Sequence, residues 1–181
     1  MRPKRYSSEA IVLARKNYSE ADRIIVVYSR NYGKLHLLAK GVRKLESRKR
    51  GSLEIFNHFR FSAARGRNLD IITETEVIDS FPQIRNDLKR VSVAYYLVEV
   101  VGRITKEEEK NEELFNLLLK TLKKIKTTKT LRKLRKDFVY NILVLLGFWP
   151  KGKVLDNHDI VLEEVLERNI NSVRVGKKLL S

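Results

Sequence analysis

The sequence predicts an α+β chain, all-β then all-α: a five-stranded barrel over residues 1–80, followed by a helical bundle over residues 81–181. Three observations carry this. The first 80 residues hold five short runs rich in β-branched side chains, with one longer connection after the third. Near Phe81–Pro82 the apolar spacing changes from a period of two to the period of a helix. Positive charge is shared by both parts: residues 1–80 carry 17 basic and 9 acidic side chains, residues 81–181 carry 21 and 13, so each contributes +8 to the total of +16.

SSEAIVLARK and DRIIVVYSR read as the first two strands, separated by the polar NYSEA. RNYG makes a tight turn in which Gly33 can take positive φ. GKLHLLAK is the third strand, and a basic connection follows it. SLEIFNHFRFS then alternates, with Leu53, Ile55, Phe59 and Phe61 on one face, Glu54, His58 and Arg60 on the other, and Phe56 as an exception. After the turn ARGRN, NLDIITETEVI is the fifth strand, with Leu69, Ile71 and Val77 on one face and Asp70, Glu74 and Glu76 on the other. A meander of three strands, a longer connection and a final hairpin is the order of an OB-fold. Closing it into a barrel removes exposed edges.

The helical part follows in order. DLKRVSVAYYLVEVVGRIT is apolar almost all round, as a central buried helix is. NEELFNLLLKTLKKIK has Asn111 as a candidate cap, glutamates in its first turn and lysines in its last, with Leu114, Leu118, Leu122 and Ile125 at helical spacing. TLRKLRKDFVYNILVLLG puts Leu131, Leu134, Phe138, Ile142 and Leu145 on one stripe, with Gly147 as the residue after the helix. A shorter helix is expected around IVLEEVLERN, and the tail INSVRVGKKLLS is a further candidate.

Composition narrows the function. At 181 residues and 43% hydrophobic the chain can bury a real core, as one large domain or two small ones. A pI near 10.1 calls for a polyanionic partner. With no cysteine, thiolate zinc sites, disulfides and cysteine nucleophiles are excluded from these residues. MRPKRYSSEAIVLARK lacks the apolar core of a signal peptide, and no run approaches the ~20 apolar residues of a membrane span, so the expectation is a cytoplasmic protein with no membrane partner.

The densest charge lies in KGVRKLESRKRG, from Lys40 to Gly51. Lysines and arginines gathered in one connection attract phosphates and release their counterions, which gives affinity without sequence preference. A solvated connection is the plainer reading, although solubility does not require clustering. Arg65 and Arg67 in the next turn extend the candidate track. Tyr28, Tyr32 and Phe56 are candidates for stacking on bases, against the more common role of aromatic residues as barrel core. A second basic run, KKIKTTKTLRKLRK, puts Arg132, Lys133, Arg135 and Lys136 away from the apolar stripe of its helix. Glu74 and Glu76, with Asp79 near them, are the best carboxylates for a metal-dependent nuclease, but no base or third ligand accompanies them. DNHD at Asp156–Asp159 precedes a helix, where such residues are ordinary caps. The three histidines have no ligand spacing, and no phosphate-binding glycine loop or nucleophile elbow is present.

EAIVLARKNYSEADRIIVVYSRNYGKLHLLAKGVRK resembles the N-terminal domain of the RecO family, through EADR before the second strand and YGKLHLLAKGVRK running into a basic loop. GRNLDIITETEVIDSFPQIRNDL is similar to its continuation, and NILVLLGFWP to the helix that ends in Leu-Gly-aromatic. The resemblance implies an OB-fold and a helical domain. It further implies a mediator that binds single- and double-stranded DNA, anneals complementary strands, and acts with RecR to load RecA onto DNA coated by single-strand-binding protein. Within the matched motif the basic positions are Lys34, Lys40, Arg43 and Lys44; Arg48, Lys49 and Arg50 extend the loop. It also implies a groove on the helical part for the tail of single-strand-binding protein, with Lys133 and Lys136 as rim candidates. Many relatives carry a four-cysteine zinc module after the Leu-Gly-aromatic helix. Here KGKVLDNHD bridges the gap directly, and INSVRVGKKLLS resembles the closing segment.

The expected function is therefore a non-enzymatic DNA-binding mediator without cofactor or metal. An RNA-binding module associated with ribosome or tRNA is the alternative, and a nuclease is the second. Because no thiolate can hold zinc, chelator treatment is expected to leave the thermal midpoint unchanged, and elemental analysis of the purified protein is expected to find no stoichiometric zinc.

Overall fold

The structure, a computed structural model, describes residues 2–166. The expected tail INSVRVGKKLLS and the end of the last expected helix lie outside these residues. The chain forms two compact units. One runs through Ser80 and takes in Thr105–Glu112; the other contains Phe81–Ile104 and continues from Glu113.

The first unit is a closed barrel, as the OB-fold reading expects. Its strands are β1 (Arg5–Tyr18), β2 (Asp22–Ser29), β3 (Gly33–Ala39), β4 (His58–Ala64) and β5 (Asp70–Asp79). Around the barrel the order is β1-β2-β3-β5-β4, returning to β1. All neighbours are antiparallel except β3 and β5, which meet in parallel over Leu37↔Asp70 and Leu38↔Ile71. The 14 residues of β1 let it pair with β4 through its first half and with β2 through its second. A register shift between Val12 and Ala14 bends the strand at the changeover, as bulges do in barrels. Tyr6, Val12, Ile25, Val27, Leu35, Leu37, Phe59, Phe61 and Ile72 fill the interior.

Two strand readings are corrected. SLEIF is not strand: Arg50–Leu53 forms a 3₁₀ turn, Phe56 takes φ 58°, and β4 begins only at His58. Leu53 is buried from this turn and Ile55 packs beside the core, so the apolar pattern comes from two different structures. In β5 the expected faces are exchanged only at the start of the strand, while Glu74 and Glu76 are exposed as expected. Asp70 and Ile72 are buried, whereas Val77 is 41% exposed. The register explains this, because Ser62 faces Glu74 while Ala63 faces Ile72, leaving Thr73 as an extra residue that resets the alternation. The buried Asp70 carboxylate accepts from the Tyr6 hydroxyl at 2.7 Å and pairs with Arg2 at 3.2 Å.

On the outer side of the barrel, Glu9 gathers three basic groups: Arg30 at 3.2 Å, His58 at 3.3 Å and Arg60 at 3.9 Å. Burial pushes its carboxyl up, but hydrogen bonds and charge from Arg30 and His58 outweigh this and hold it below the usual glutamate value.

The second unit contains α1 (Pro82–Arg85), α2 (Leu88–Ile104), α3 (Glu112–Ile125), α4 (Leu131–Leu145) and α5 (His158–Leu166). Glu112, the first residue of α3, belongs to the barrel unit. Asp87 caps α2, its side chain accepting from the amides of Lys89 and Arg90 at 2.9 and 3.2 Å. Val93, Ala94, Tyr96, Leu97, Val98, Val100 and Val101 bury α2 on most sides. α4 closes with a Schellman motif: Gly147 at φ 80° and Phe148 donate to Val144 and Leu143 at 3.1 and 2.8 Å.

The α4 stripe is also corrected. Arg135, Phe138, Val139, Ile142 and Leu143 are buried, while Leu131, Leu134 and Leu145 are only partly so. Arg135, expected in solvent, stands 4.2 Å over the Tyr96 ring and pairs with Asp159 at 2.5 Å. The stripe is rotated because this guanidinium has both a ring face and a carboxylate to meet inside.

Two outcomes follow. Glu9→Gln is expected to lower stability by about 1 kcal/mol at neutral pH, as for a partly exposed charge-assisted hydrogen bond. A carboxyl held low in the folded state stabilises above its unfolded value, 4.5, and loses that contribution as pH falls through the folded value. Urea midpoints of the two proteins should therefore converge below 4.5. Asp159→Ala, which strands the buried Arg135, is expected to cost roughly 2–3 kcal/mol. Calorimetry on Asp159→Ala and on the double variant with Arg135→Met should find the double variant the more stable.

Candidate nucleic-acid interface

The basic connection between β3 and β4 is not a free coil. It leaves β3 at Gly41, φ 64°, whose amide donates to the Asp22 carboxylate at 2.7 Å. Arg43 then donates from its amide to Ala21 and from its guanidinium to Ser19, at 2.9 and 3.2 Å. The aspartate of EADR thus ties the β1–β2 turn to the start of the loop. Val42 is buried in the barrel core, and Leu53 anchors the other end. Between these anchors the chain winds through consecutive turns, with Lys44, Ser47, Arg50 and Ser52 each donating three residues back. The Asn57 amide holds the carbonyls of Gly51 and Ser52 at 2.9 and 3.1 Å. Lys40, Arg43, Lys44, Arg48 and Arg50 are exposed on this frame. Lys49 is half-buried, and its ammonium donates to the Ile72 carbonyl at 3.0 Å.

Two strand arginines, Arg15 of β1 and Arg23 of β2, join the loop. The Arg23 guanidinium is held below the usual arginine value, first by burial and then by repulsion from Arg15, Arg43 and Arg50, with Glu54 opposing. Arg15 lies at the far end of β1, opposite Ile25, and pairs with Glu54 at 2.6 Å. Arg15, Arg43 and Arg50 therefore lie close enough to repel Arg23, and Arg15 is the one paired with Glu54. The signal for them lay in the β1–β2 register: Arg15 and Arg23 fall near the closed end of the hairpin, where the loop crosses.

The other candidates lie elsewhere. Arg65 and Arg67 are exposed in the β4–β5 turn, beside the start of β1, where the Arg65 amide donates to Lys4 at 2.9 Å. This is the opposite end of β1 from Arg15. Lys34 is half-buried, its pKa lowered by burial, and its ammonium donates to the Thr105 carbonyl at 2.5 Å. Tyr28 and Phe56 are fully buried and have no face for a base, which corrects their stacking candidacy. The Tyr28 hydroxyl is pushed up to about 12 by burial. Tyr32 is partly buried, edge-on to Tyr6 at 4.8 Å.

Glu76 is engaged by Arg60 at 2.9 Å. Among the described residues no group of three or more His, Asp or Glu is placed to hold a metal ion. In DNHD, His158 opens α5 and Asp159 is taken by Arg135. No helix of the described residues is long and apolar enough to cross a membrane. On the helical unit, Lys133 and Lys136 are exposed beside an open groove of about 550 Å³ that also touches Lys89, Lys129, Leu131 and Arg132. Lys133 pairs with Asp137 at 2.8 Å.

Two family models match the chain, described as Recombination protein O N terminal over residues 1–81 and Recombination protein O C terminal over residues 85–153. Similar curated proteins are named DNA repair protein RecO. That of Roseiflexus sp. (strain RS-1) is 36% identical over 151 residues, covering 83% of this chain and 53% of the relative. That of Pelotomaculum thermopropionicum is 39% identical over 147 residues, covering 81% of this chain and 57% of the relative. That of Desulforamulus reducens is 40% identical over 117 residues, covering 65% and 46%. The chain spans about half the length of these relatives. With its barrel matching one model and its helical unit the other, the chain belongs to the RecO family.

Proposed function

We propose that this chain binds DNA, single- and double-stranded, as a repair and recombination mediator, and that it does so without covalent chemistry. The observation that carries the reading is the basic loop held against the β1–β2 turn by Gly41 and Arg43, with Lys40, Arg43, Lys44, Arg48 and Arg50 exposed on it and Arg15 and Arg23 beside it. Such a surface neutralises phosphate charge and lets two strands approach, which is what annealing requires. A small closed barrel with a basic loop is also a scaffold on which single strands are commonly carried. Arg65 and Arg67 would extend the track toward the other end of β1. Family membership and the names of the relatives support the repair role. Loading of RecA with RecR, and capture of the tail of single-strand-binding protein on the groove beside Lys133 and Lys136, rest on the family resemblance.

Changing Lys44, Arg48 and Arg50 to Ala is expected to weaken binding to unrelated DNA sequences alike, because phosphate contacts carry no base information. Each lost contact removes about 0.7 from the slope of log K against log salt for single strands, so the slope should flatten by roughly 2. Stability should change by less than about 0.5 kcal/mol, since these side chains are exposed. A variant with wild-type affinity and slope would reduce the loop to a solvated connection. Gel shifts with DNA and RNA of equal length test the substrate, and preference for RNA would favour the ribosome- or tRNA-associated reading.

A further inference from the structure

The segment Thr105–Glu112 reads TKEEEKNE and contains no apolar side chain, yet it belongs to the barrel unit. Hydrophobic burial therefore cannot be what holds it there. It lies along β3, where Lys34 bridges Glu107, and the Glu108 amide donates to the Lys34 carbonyl at 2.9 Å. Its carboxylates meet basic groups drawn from three parts of the barrel. Glu107 pairs with His36 at 2.9 Å, Glu108 with Arg2 at 3.0 Å and Glu112 with Arg30 at 3.1 Å. Lys34 adds its ammonium to the Thr105 carbonyl. Gly33, at φ 68°, is needed beneath the segment, because a Cβ there would sit 2.2 Å from the Glu109 carbonyl oxygen.

We propose that this acidic strap is an intramolecular stand-in for a phosphate backbone: it masks a second nucleic-acid contact formed by Arg2, Arg30, Lys34 and His36, and an incoming single strand displaces it. This rests on the nucleic-acid reading given above. Three features make the strap displaceable. The side chains of Glu107, Glu108 and Glu112 are 64%, 63% and 51% exposed, so their ion pairs are weak and screened by salt. Glu108 holds φ 60°, a conformation that L residues adopt only at a cost. The remaining ties are hydrogen bonds, and the two made by the buried Tyr28 hydroxyl, to the Glu109 and Asn111 carbonyls, are long at 3.5 and 3.4 Å. A polyanion offers the same cations several charges at once and competes directly. The masked cations lie around the start of β3, whereas the basic loop leaves its far end, so one strand crossing β3 would reach both.

Hydrogen–deuterium exchange on the full chain, with and without oligothymidylate at low salt, tests this. The Glu108 amide and its neighbours in the strap should exchange several-fold faster when the oligonucleotide is bound. Unchanged or slower exchange in a complex known to form overturns the inference and leaves the nucleic-acid reading standing. Failure of the oligonucleotide to bind overturns both. In parallel, Glu107→Gln, Glu108→Gln and Glu112→Gln together should steepen the salt slope by roughly 1, since Arg2 and Arg30 each lose one of the two carboxylates that engage them. The control, Glu74→Gln, Glu113→Gln and Glu164→Gln, removes the same charge from exposed positions outside these pairs and should leave the slope near wild type. Equal slopes in the two triple variants would overturn the masking role.

Discussion

Closure of the barrel through β1 is the constraint on which the first unit depends. One strand of 14 residues must serve two neighbours, and it does so by bending at the register shift between Val12 and Ala14. Without that bend, β4 and β2 could not both find partners along it, and the sheet would keep two open edges. The β1–β2 pairing runs from Ala10↔Ser29, past the bend, to Tyr18↔Asp22. Its closed end carries Arg15 and Arg23, and the Asp22 carboxylate there receives the loop that leaves β3. Backbone geometry thus decides where the cationic cluster forms.

The barrel handles charge in two ways. Around Arg23, the charges of Arg15, Arg43 and Arg50 act against it, while Glu54 pairs with Arg15, so like charges stay close. At the other end of β3, carboxylates answer the basic groups more fully: Arg2 meets Glu108 and Asp70, Arg30 meets Glu112 and Glu9, and His36 meets Glu107. A net charge of +16 is therefore not spread evenly over the surface. The first arrangement tolerates repulsion that a polyanion would relieve, and the second relieves it from within the chain.

In the helical unit the organising contact is Arg135 between the Tyr96 ring and Asp159. It joins α2, α4 and α5 through one guanidinium, in a place where a leucine would have packed without direction. A buried ion pair adds little net stability, but it has only one good geometry and so fixes how those helices meet.

By itself the sequence determined the kind of structure at each point. Period-two runs such as that of Phe59 and Phe61 became strands, Leu114, Leu118, Leu122 and Ile125 became the buried side of α3, and Gly147 ended α4 at φ 80°. These features are local, since side-chain periodicity and backbone freedom act over a few residues. The density of Lys and Arg from Lys40 to Arg50 was equally legible, because net charge does not depend on folding. Tertiary structure decided the rest. The extra residue at Thr73 broke the alternation of β5, so that Asp70 and Ile72 turned inward while Glu74 and Glu76 stayed outside, an event invisible without its partner strand. Arg135 went inside because Tyr96 and Asp159, 39 residues before it and 24 after it, were waiting there. Arg15 and Arg23 joined the loop cations, and an acidic segment returned to the barrel from beyond α2, only because long-range pairing brought them together. Strand register, long-range ion pairs and the path of a connection are fixed by contacts between distant residues, and no window of sequence contains both partners.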